Sequence, residues 1–374
     1  MPTEITFLQG NIVCARAAIA SGCRFFAGYP ITPSSEIMEY MSNELPKSGG
    51  VFLQAEDEIA SIAAVIGASW AGAKAMTATS GPGLTLMLEN IGYAIITETP
   101  LVVVDVQRAG PSTGQATKPG SGDVMQIRWG MSGDYEIIAL SPWSVQEMYD
   151  MTVKAFALSE TYRVPTFLIS DQAVSHLREN AAFYPANVPE RGVPPADEPH
   201  FGYKDDLSRT SPMPAFGQGK KLLVTGSTHD ESGYRKTQDP AVQKRLTERL
   251  CNKIRSNADK IVDLETYFVD ETTEYLMCAY GFTARAALAS VNELRKDGLK
   301  IGLVRPKTLW PSPEKFFSGL NPKKIKKIFV PEMNQGQYVR EVQRLAQIDA
   351  VPLAKTTGEV FFPSEITRFV SDSI

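Results

Sequence analysis

The sequence predicts an α/β protein, with a doubly wound parallel sheet in a first domain and a second, smaller α/β domain after it. The first observation is a set of four short apolar runs that alternate with helix-like stretches: RFFAGY (24–29), KAMTAT (74–79), LVVVDV (101–106) and PTFLISD (165–171). Continuous apolar runs are typical of parallel strands that helices cover on both faces. The second observation is the length of 374 residues, which exceeds what one hydrophobic core usually serves.

A proline-rich stretch interrupts this alternation and suggests where the domains divide. Between residues 179 and 219, repeated prolines in YPANVPERGVPPADEPHF and TSPMPAFGQG are incompatible with a helix or a central strand. We therefore expect a first domain over 1–178, a linker over 179–219 and a second domain over 220–374. The second domain should contain, in order, a strand at KLLVTGS, a charged helix around 240–258, a strand at YLMCAYG, a helix at FTARAALASVNELRK, strands at KIGLVRP and KKIFVPE, and a helix at GQYVREVQRLAQI.

The composition excludes several classes of function. A net charge of -4 and a pI near 5.6 give no basic surface for nucleic acid. No apolar stretch approaches the roughly 20 residues that cross a bilayer, and the N-terminus lacks a signal-peptide pattern, so we expect a cytoplasmic protein with no membrane partner. The four cysteines are scattered without C-x-x-C spacing. This argues against a cluster or a disulfide framework, and we expect any redox metal on another chain.

Two loops that follow predicted strands contain candidate functional residues, because ligands of open α/β sheets bind beyond the carboxyl ends of the strands. In GYPITPSSE, Thr32 lies between Pro30 and Pro33 on a stiff backbone, although turn threonines are common in such loops. In LQAEDEIASIAAVIGASWAG, three acids precede an apolar, buried helix. Glu56 and Asp57 are explained by the helix dipole, whereas Glu58 lies at the edge of a core that can tune its pKa.

Two further loops are less specific on their own. TSGPG (79–83) joins a strand to a helix and either binds an anion at the helix N-terminus or forms a plain turn. QRAGPSTGQATKPGSGDVMQIRWG is a long segment rich in Gly, Pro, Ser and Thr, and long loops are usually functional or disordered. At its start, Arg108 is suited either to a bidentate pair with a carboxylate ligand or to a structural salt bridge.

Taken together and in this order, these segments resemble the α subunit of the 2-oxoacid:ferredoxin oxidoreductases. QGNIVCARAAIASGCRFFAGYPITPSSE, the helix that runs into GASWAG, TSGPG, QRAGPSTG and GDVMQIRWG all follow that family, and GSTHDESG and VPEMNQGQY extend the resemblance over nearly the whole chain. It implies a pyrimidine-binding domain of the thiamine-diphosphate enzymes first, and a domain of transketolase C-terminal type second.

Carried over residue by residue, the resemblance implies roles for four positions. Glu58 takes the place of the glutamate that contacts the aminopyrimidine of thiamine diphosphate, where it acts in both cofactor binding and catalysis. Ile31, Thr32 and Arg108 take the places of residues around the bound 2-oxoacid. A carboxylate bonded to the aminopyrimidine favours its imino tautomer, which can remove a proton from the cofactor.

The resemblance also implies partners. We find no G-D-G with a downstream Asn to anchor diphosphate and magnesium, and expect no metal ligand on this chain. In the family, magnesium and 4Fe-4S clusters lie on partner subunits. The resemblance thus implies a β subunit that shares the cofactor, a separate γ subunit, a ferredoxin-like δ subunit in some complexes, and ferredoxin, 2-oxoglutarate and CoA as reactants.

The GPSTG and YPITPSSE segments look most like the 2-oxoglutarate branch, and pyruvate, 2-oxoisovalerate or an aryl pyruvate are alternatives. A second substrate carboxylate would need a cation, for which His229, Lys118 and Arg128 are unranked candidates. His229 also fits an ordinary loop histidine, and Glu332 and Asn334 either line a cleft or order a turn. Two readings of other classes are a non-catalytic assembly subunit and a self-contained decarboxylase, which the missing diphosphate motif disfavours.

Overall fold

The computed structural model of the chain describes residues 4–195 and 197–374. Its strands run in chain order as β1 (Glu4–Gln9), β2 (Cys23–Gly28), β3 (Val51–Gln54), β4 (Lys74–Thr79), β5 (Leu101–Ala109), β6 (Gln115–Pro119), β7 (Ile138–Leu140), β8 (Pro165–Asp171), β9 (Arg178–Phe183), β10 (Leu264–Tyr267), β11 (Tyr275–Cys278), β12 (Ile301–Pro306), β13 (Thr308–Trp310), β14 (Lys327–Glu332) and β15 (Ala350–Ala354).

The helices are α1 (Gly10–Ala20), α2 (Ser35–Glu44), α3 (Glu58–Trp70), α4 (Gly81–Ile96), α5 (Val124–Trp129), α6 (Val145–Tyr162), α7 (Gln172–His176), α8 (Pro240–Arg255), α9 (Ala258–Ile261), α10 (Thr283–Lys296), α11 (Glu314–Ser318), α12 (Tyr338–Ala346) and α13 (Pro363–Asp372).

The large sheet has the strand order β13-β7-β8-β5-β4-β2-β3, and β6 also pairs with β5. The pairs from β7 through β3 are parallel, whereas β6 and β13 are antiparallel to their neighbours. The smaller sheet has the order β10-β12-β11-β14-β15, antiparallel only at β10. The doubly wound α/β architecture with a second α/β domain is therefore confirmed.

Alternation along β5 divides the core of the large sheet into two layers. Val102 and Val104 point into the layer that α1 and α6 cover, while Val103 points into the layer that α3 and α4 cover. The second layer continues without a break into the smaller sheet through Leu276 and Val330. Because the two sheets share this core, the second domain has a fixed position over the carboxyl ends of β4 and β5.

Two expectations about local structure were wrong. KLLVTGS forms no strand, since residues 221–227 have neither helix nor strand geometry. The long segment after β5 is not one loop, because it folds back as β6 and then begins α5. The division into 1–178, 179–219 and 220–374 stays a prediction.

The proline-rich stretch is packed at some positions of its described part and exposed at others, such as Phe216. Phe201 and Met213 lie in the core between the two sheets, and Arg191 forms an ion pair with Glu160 at 2.7 Å. Prolines exclude regular structure here, so the buried aromatic and ionic contacts fix the path of the chain. Within the described ranges, no helix combines the length and hydropathy that crossing a bilayer requires.

Candidate functional site

The predicted site residues converge at the carboxyl ends of β2, β4 and β5. Thr32 follows β2, Arg108 lies near the end of β5, and Glu58 begins α3 after β3. Because these strands are neighbours in a parallel sheet, the segments that leave them meet at the same edge.

Glu58 is the buried member of its acidic run. Asp57 is the N-cap of α3 and accepts a hydrogen bond from the Ala60 amide at 2.7 Å, while Glu56 is exposed. Glu58 is only 5% exposed. The structure thus assigns ordinary helix chemistry to Asp57 and leaves Glu58 as the carboxyl at the core edge.

The side chain of Glu58 lies against the first turn of α4. A Cβ atom at Gly83 would collide with a carboxyl oxygen of Glu58 and with the hydroxyl of Thr79, so only glycine fits there. Burial raises the pKa of Glu58, the charge of Asp57 raises it further, and Arg108 opposes them. Apart from its own backbone N–H, which lowers the pKa, the Glu58 carboxyl accepts no hydrogen bond from residues 4–195 and 197–374, so it can accept or donate a hydrogen bond to an external group.

Arg108 joins the end of β5 to the loop after β2. Its Nη1 donates to the Thr32 carbonyl at 2.7 Å, and that loop is fixed by Asn11, whose Nδ2 donates to the Pro33 carbonyl at 2.8 Å. The Nε of Arg108 is buried without an acceptor in the described chain. Ile31 and Thr32 are half-buried beside it. The guanidinium is therefore oriented but retains an unused donor for a carboxylate.

Arg108 also lines a cavity of about 380 Å³ between the domains, together with Pro82, Asp123, Asn334 and Gln337. A cavity of this size is within the range of small-molecule sites. A larger groove of about 780 Å³ lies elsewhere, lined by Trp129, Trp310 and residues of α11. We place the candidate site at the smaller cavity, because Arg108 lines it, whereas the larger groove contacts none of Glu58, Thr32 and Arg108.

The remaining candidates are held in structural contacts or remain unassigned. Arg128 donates to Glu136 at 3.1 Å and to the Tyr135 carbonyl. His229 is buried, with its Nδ1 3.0 Å from the Ser227 carbonyl and its ring against Phe201. Lys118 is exposed. Arg128 is therefore occupied, whereas His229 Nε2 has no hydrogen-bond partner in the described residues but is buried.

The sequence suggested that Glu332 and Asn334 line a cleft or order a turn. Both residues order the turn, and Asn334 also lines the cavity between the domains. Glu332 accepts from the amides of Tyr338 and Val339 at the start of α12. Asn334 donates to the Ser121 carbonyl at 2.7 Å, across the domain boundary. The VPEMNQGQ turn is therefore ordered, and it fixes the segment that precedes α5.

Two aspartates that the sequence did not single out lie beside this site. Asp105 is a fully buried acid within the apolar strand β5, and Asp123 precedes α5. Their carboxyl groups are close enough for Asp123 to raise the pKa of Asp105 beyond the effect of burial, although neither oxygen of Asp105 has a donor in the described residues. The signal in the sequence was the charge inside LVVVDV, because an isolated carboxyl in a buried strand needs a partner or a proton.

Comparison with known proteins identifies the class of protein that this fold and site define. The model described as "Pyruvate flavodoxin/ferredoxin oxidoreductase, thiamine diP-bdg" matches residues 16–249, and that described as "Pyruvate:ferredoxin oxidoreductase core domain II" matches residues 273–365. The chain therefore belongs to the 2-oxoacid:ferredoxin oxidoreductases and is a subunit of such an enzyme, whose cofactor is thiamine diphosphate. The family resemblance is confirmed.

Within this family the chain is similar to 2-oxoglutarate synthase subunit KorA of Methanocaldococcus jannaschii, at 48% identity over 98% of the chain and 99% of that protein. Ketoisovalerate oxidoreductase subunit VorB of Methanothermobacter marburgensis is 35% identical over 94% of the chain and 92% of that protein. Among solved structures, a 2-oxoglutarate:ferredoxin oxidoreductase from Magnetococcus marinus, with 2-oxoglutarate, coenzyme A and succinyl-CoA bound, superposes with a TM-score of 0.92 at 34% identity. The match covers 99% of this chain and 65% of that one.

Proposed function

We propose that the chain is the α subunit of a 2-oxoglutarate:ferredoxin oxidoreductase. The enzyme converts 2-oxoglutarate, CoA and oxidised ferredoxin into succinyl-CoA, carbon dioxide and reduced ferredoxin, and it also runs in reverse. The observation that carries the proposal is a buried Glu58 carboxyl that is hydrogen-bonded to no other described residue and lies close enough to Arg108 for that cation to lower its pKa. The similarity to 2-oxoglutarate synthase subunits supports the choice of substrate.

The residues present fit the pyrimidine half of thiamine diphosphate. Burial raises the pKa of Glu58, so its carboxyl can hold a proton towards a ring nitrogen and stabilise the tautomer that the chemistry requires. Gly83 leaves open the space that this carboxyl occupies. When bound, thiamine diphosphate supplies the electron sink for cleavage of the bond between the carboxyl and keto carbons.

Arg108 and the loop after β2 are suited to orient the 2-oxoacid. The planar guanidinium matches a carboxylate in bidentate geometry, and the hydrogen bond to the Thr32 carbonyl fixes its direction. The hydroxyl of Thr32 can then donate to the substrate carboxylate or keto oxygen, and Ile31 provides apolar contact. Holding the reactant in one orientation removes much of the entropic barrier to reaction.

The proposal requires partner chains for the rest of the site. We assign the diphosphate, magnesium and 4Fe-4S clusters to a β subunit and its partners, with a γ subunit and, in some complexes, a ferredoxin-like δ subunit. Cytoplasmic location stays a prediction. The proposed substrate preference is for 2-oxoglutarate over pyruvate, 2-oxoisovalerate and aryl pyruvates, and of the cations that the sequence suggested, Lys118 is the one left exposed for the second carboxylate.

The test is turnover by the complex purified under anoxic conditions. CoA-dependent reduction of ferredoxin should be compared for 2-oxoglutarate, pyruvate and 2-oxoisovalerate. We expect 2-oxoglutarate to give the highest kcat/KM. A preference for another 2-oxoacid would contradict the substrate assignment, and no turnover by an intact, cluster-loaded complex would instead favour a non-catalytic assembly subunit.

A further inference from the structure

The carboxyl groups of Asp105 and Asp123 are buried together without the hydrogen-bond donors that buried carboxylates usually have. The two carboxyls face each other, yet neither oxygen of Asp105, nor Oδ2 of Asp123, finds an N–H or O–H donor in the described residues. Two carboxyl groups can form a hydrogen bond with each other only if one of them is protonated. Two ionised carboxylates in contact inside a core would also be strongly destabilising.

The surroundings indicate which carboxyl holds the proton. Burial, followed by the proximity of Asp123, raises the pKa of Asp105 well above its usual value. Burial raises the pKa of Asp123 only to about 6, because the hydrogen bond from Asp105 and the charge of Arg108 oppose it. Asp105 is fully buried, whereas Asp123 is partly exposed and lies near the positive charge of Arg108. We therefore place the proton on Asp105, which donates, and the negative charge at neutral pH on Asp123, which accepts.

The Asp123 carboxyl lies at the start of α4 and close to Arg108. A Cβ atom at Gly81 would lie 2.9 Å and 3.0 Å from its two carboxyl oxygens, which places this carboxylate at the N-terminus of α4, two residues before the glycine that contacts Glu58. Its amide donates to Gln107 Oε1 at 3.1 Å. The positive end of a helix stabilises such a charge.

Arg108 is the cation with which Asp123 could form an ion pair instead of its contact with Asp105. The two groups are close enough for the guanidinium to lower the pKa of Asp123, but no hydrogen bond joins them within the described residues, and Arg108 Nε is left without an acceptor. The first turn of α4 carries no acidic side chain. The other cation that lines this cavity is Lys355, which is bound to Glu365, whereas Arg128 lines the larger groove.

We propose that Asp105 is a positioning residue whose shared proton holds Asp123 against α4 and away from Arg108, so that the guanidinium remains free for the carboxylate of the 2-oxoacid. Without that proton, Asp123 would turn to the unused donor of Arg108 and form an internal ion pair. The substrate carboxylate would then have to displace it. The kinetic part of this inference rests on the proposed function, while the shared proton does not.

The test compares Asp105→Asn with Asp105→Leu in the assembled complex. The amide of Asp105→Asn still donates to Asp123, so we expect KM for 2-oxoglutarate within about twofold of the wild type. Asp105→Leu has a similar size but no donor, and KM should rise about tenfold or more with little change in kcat. Asp171→Asn is a matched control, because Asp171 is a buried acid with backbone donors from Val174 and Phe282 and should lower the melting temperature without raising KM.

A second readout is independent of turnover. The infrared band of a protonated carboxyl should be present in the spectrum of the wild-type complex at neutral pH. The same band should be missing from the spectrum of the Asp105→Asn complex. Absence of that band from the wild type would overturn the shared proton. A band with an unchanged KM in Asp105→Leu would overturn the positioning role. If the wild-type complex turns over no 2-oxoacid, the proposed function fails, and the infrared result still decides whether the proton is shared.

Discussion

A buried glutamate lies near each end of α4, and the surroundings of the two carboxyl groups are opposite in character. At the C-terminal end, Glu98 accepts from Arg249 at 2.8 Å and from Lys253 at 3.0 Å, and its carbonyl accepts from Arg163 at 3.1 Å. Burial alone would raise the pKa of Glu98, but these three cations outweigh it and hold that pKa well below its usual value. At the N-terminal end, burial raises the pKa of Glu58, and its carboxyl is hydrogen-bonded to no described residue other than its own backbone N–H.

This difference separates a structural carboxylate from a functional one. The charge of Glu98 is fully neutralised within the chain, and its contacts hold α8 against the large sheet. The carboxyl of Glu58 and the guanidinium of Arg108 keep unused hydrogen-bonding capacity at the sheet edge where ligands bind. Burying such groups costs stability, so an arrangement of this kind is best explained by a ligand that completes it.

The largest expected effect is on turnover. Replacing Glu58 by Gln in the complex should lower kcat by about 100-fold or more, because the amide cannot exchange a proton with the cofactor. The melting temperature should not fall, since the substitution removes a carboxyl whose charge is unfavourable in the core. Glu56→Gln is the matched control two residues earlier and should keep full activity. Turnover within twofold of the wild type for Glu58→Gln would remove Glu58 from the mechanism.

The second effect is on folding. Glu98→Gln leaves Arg249 and Lys253 buried without a counter-ion, so the free energy of unfolding should fall by about 3–5 kcal/mol. Denaturant unfolding of the full chain measures it. Asp259→Asn, which breaks an exposed ion pair with Lys315, should change stability by less than about 1 kcal/mol. Equal effects from the two substitutions would contradict a structural role for the Glu98 cluster.

A third prediction concerns substrate affinity. Arg108→Lys keeps the charge but loses the planar fork, so KM for 2-oxoglutarate should rise about tenfold, with a smaller change in kcat. Steady-state kinetics of the complex measures both constants. Arg255→Lys, on the larger groove, should leave both unchanged. A loss confined to kcat would argue that Arg108 acts on the chemical step instead of on binding.

The smallest effect is on the pH dependence of stability. Burial, with help from Arg163, lowers the pKa of His200 to about 4, below the 6.5 of an unfolded histidine. The unfolded state therefore binds the proton first, so this stability is complete above pH 6.5 and is lost as the pH falls towards 4. His200→Gln should flatten the slope of the unfolding free energy in this window by up to about 1.4 kcal/mol per pH unit. An unchanged slope in His200→Gln would show that other groups cause it.

Much of the fold could be predicted because its strands are apolar runs with clear breaks. The run KAMTAT became β4 without any shift, and PTFLISD became β8. KLLVTGS is a similar apolar run but forms no strand. It has no strand partner in the sheets of the described chain, and its side chains Leu222 and Val224 pack against the core instead. Pairing partners are a property of the tertiary structure that a local pattern does not contain.

The site could be predicted only in part. The sequence pattern placed Glu58 and Arg108 in segments at the ends of strands of the first domain, and the structure brings these segments to one sheet edge. The pairing of Asp105 with Asp123 was not foreseeable, because it depends on how the second domain fixes the segment around Ser121 through Asn334. The catalytic role of Glu58 and the binding role of Arg108 stay predictions, which the substitutions above test.

Calorimetric titration of thiamine diphosphate with magnesium, into the isolated chain and into the assembled complex, tests most directly whether this chain supplies half of a shared site. We expect the complex to bind thiamine diphosphate tightly and the complex that carries Glu58→Gln to bind it more weakly. The chain alone should show no tight binding. Binding by the isolated chain as tight as that of the complex would contradict a shared site.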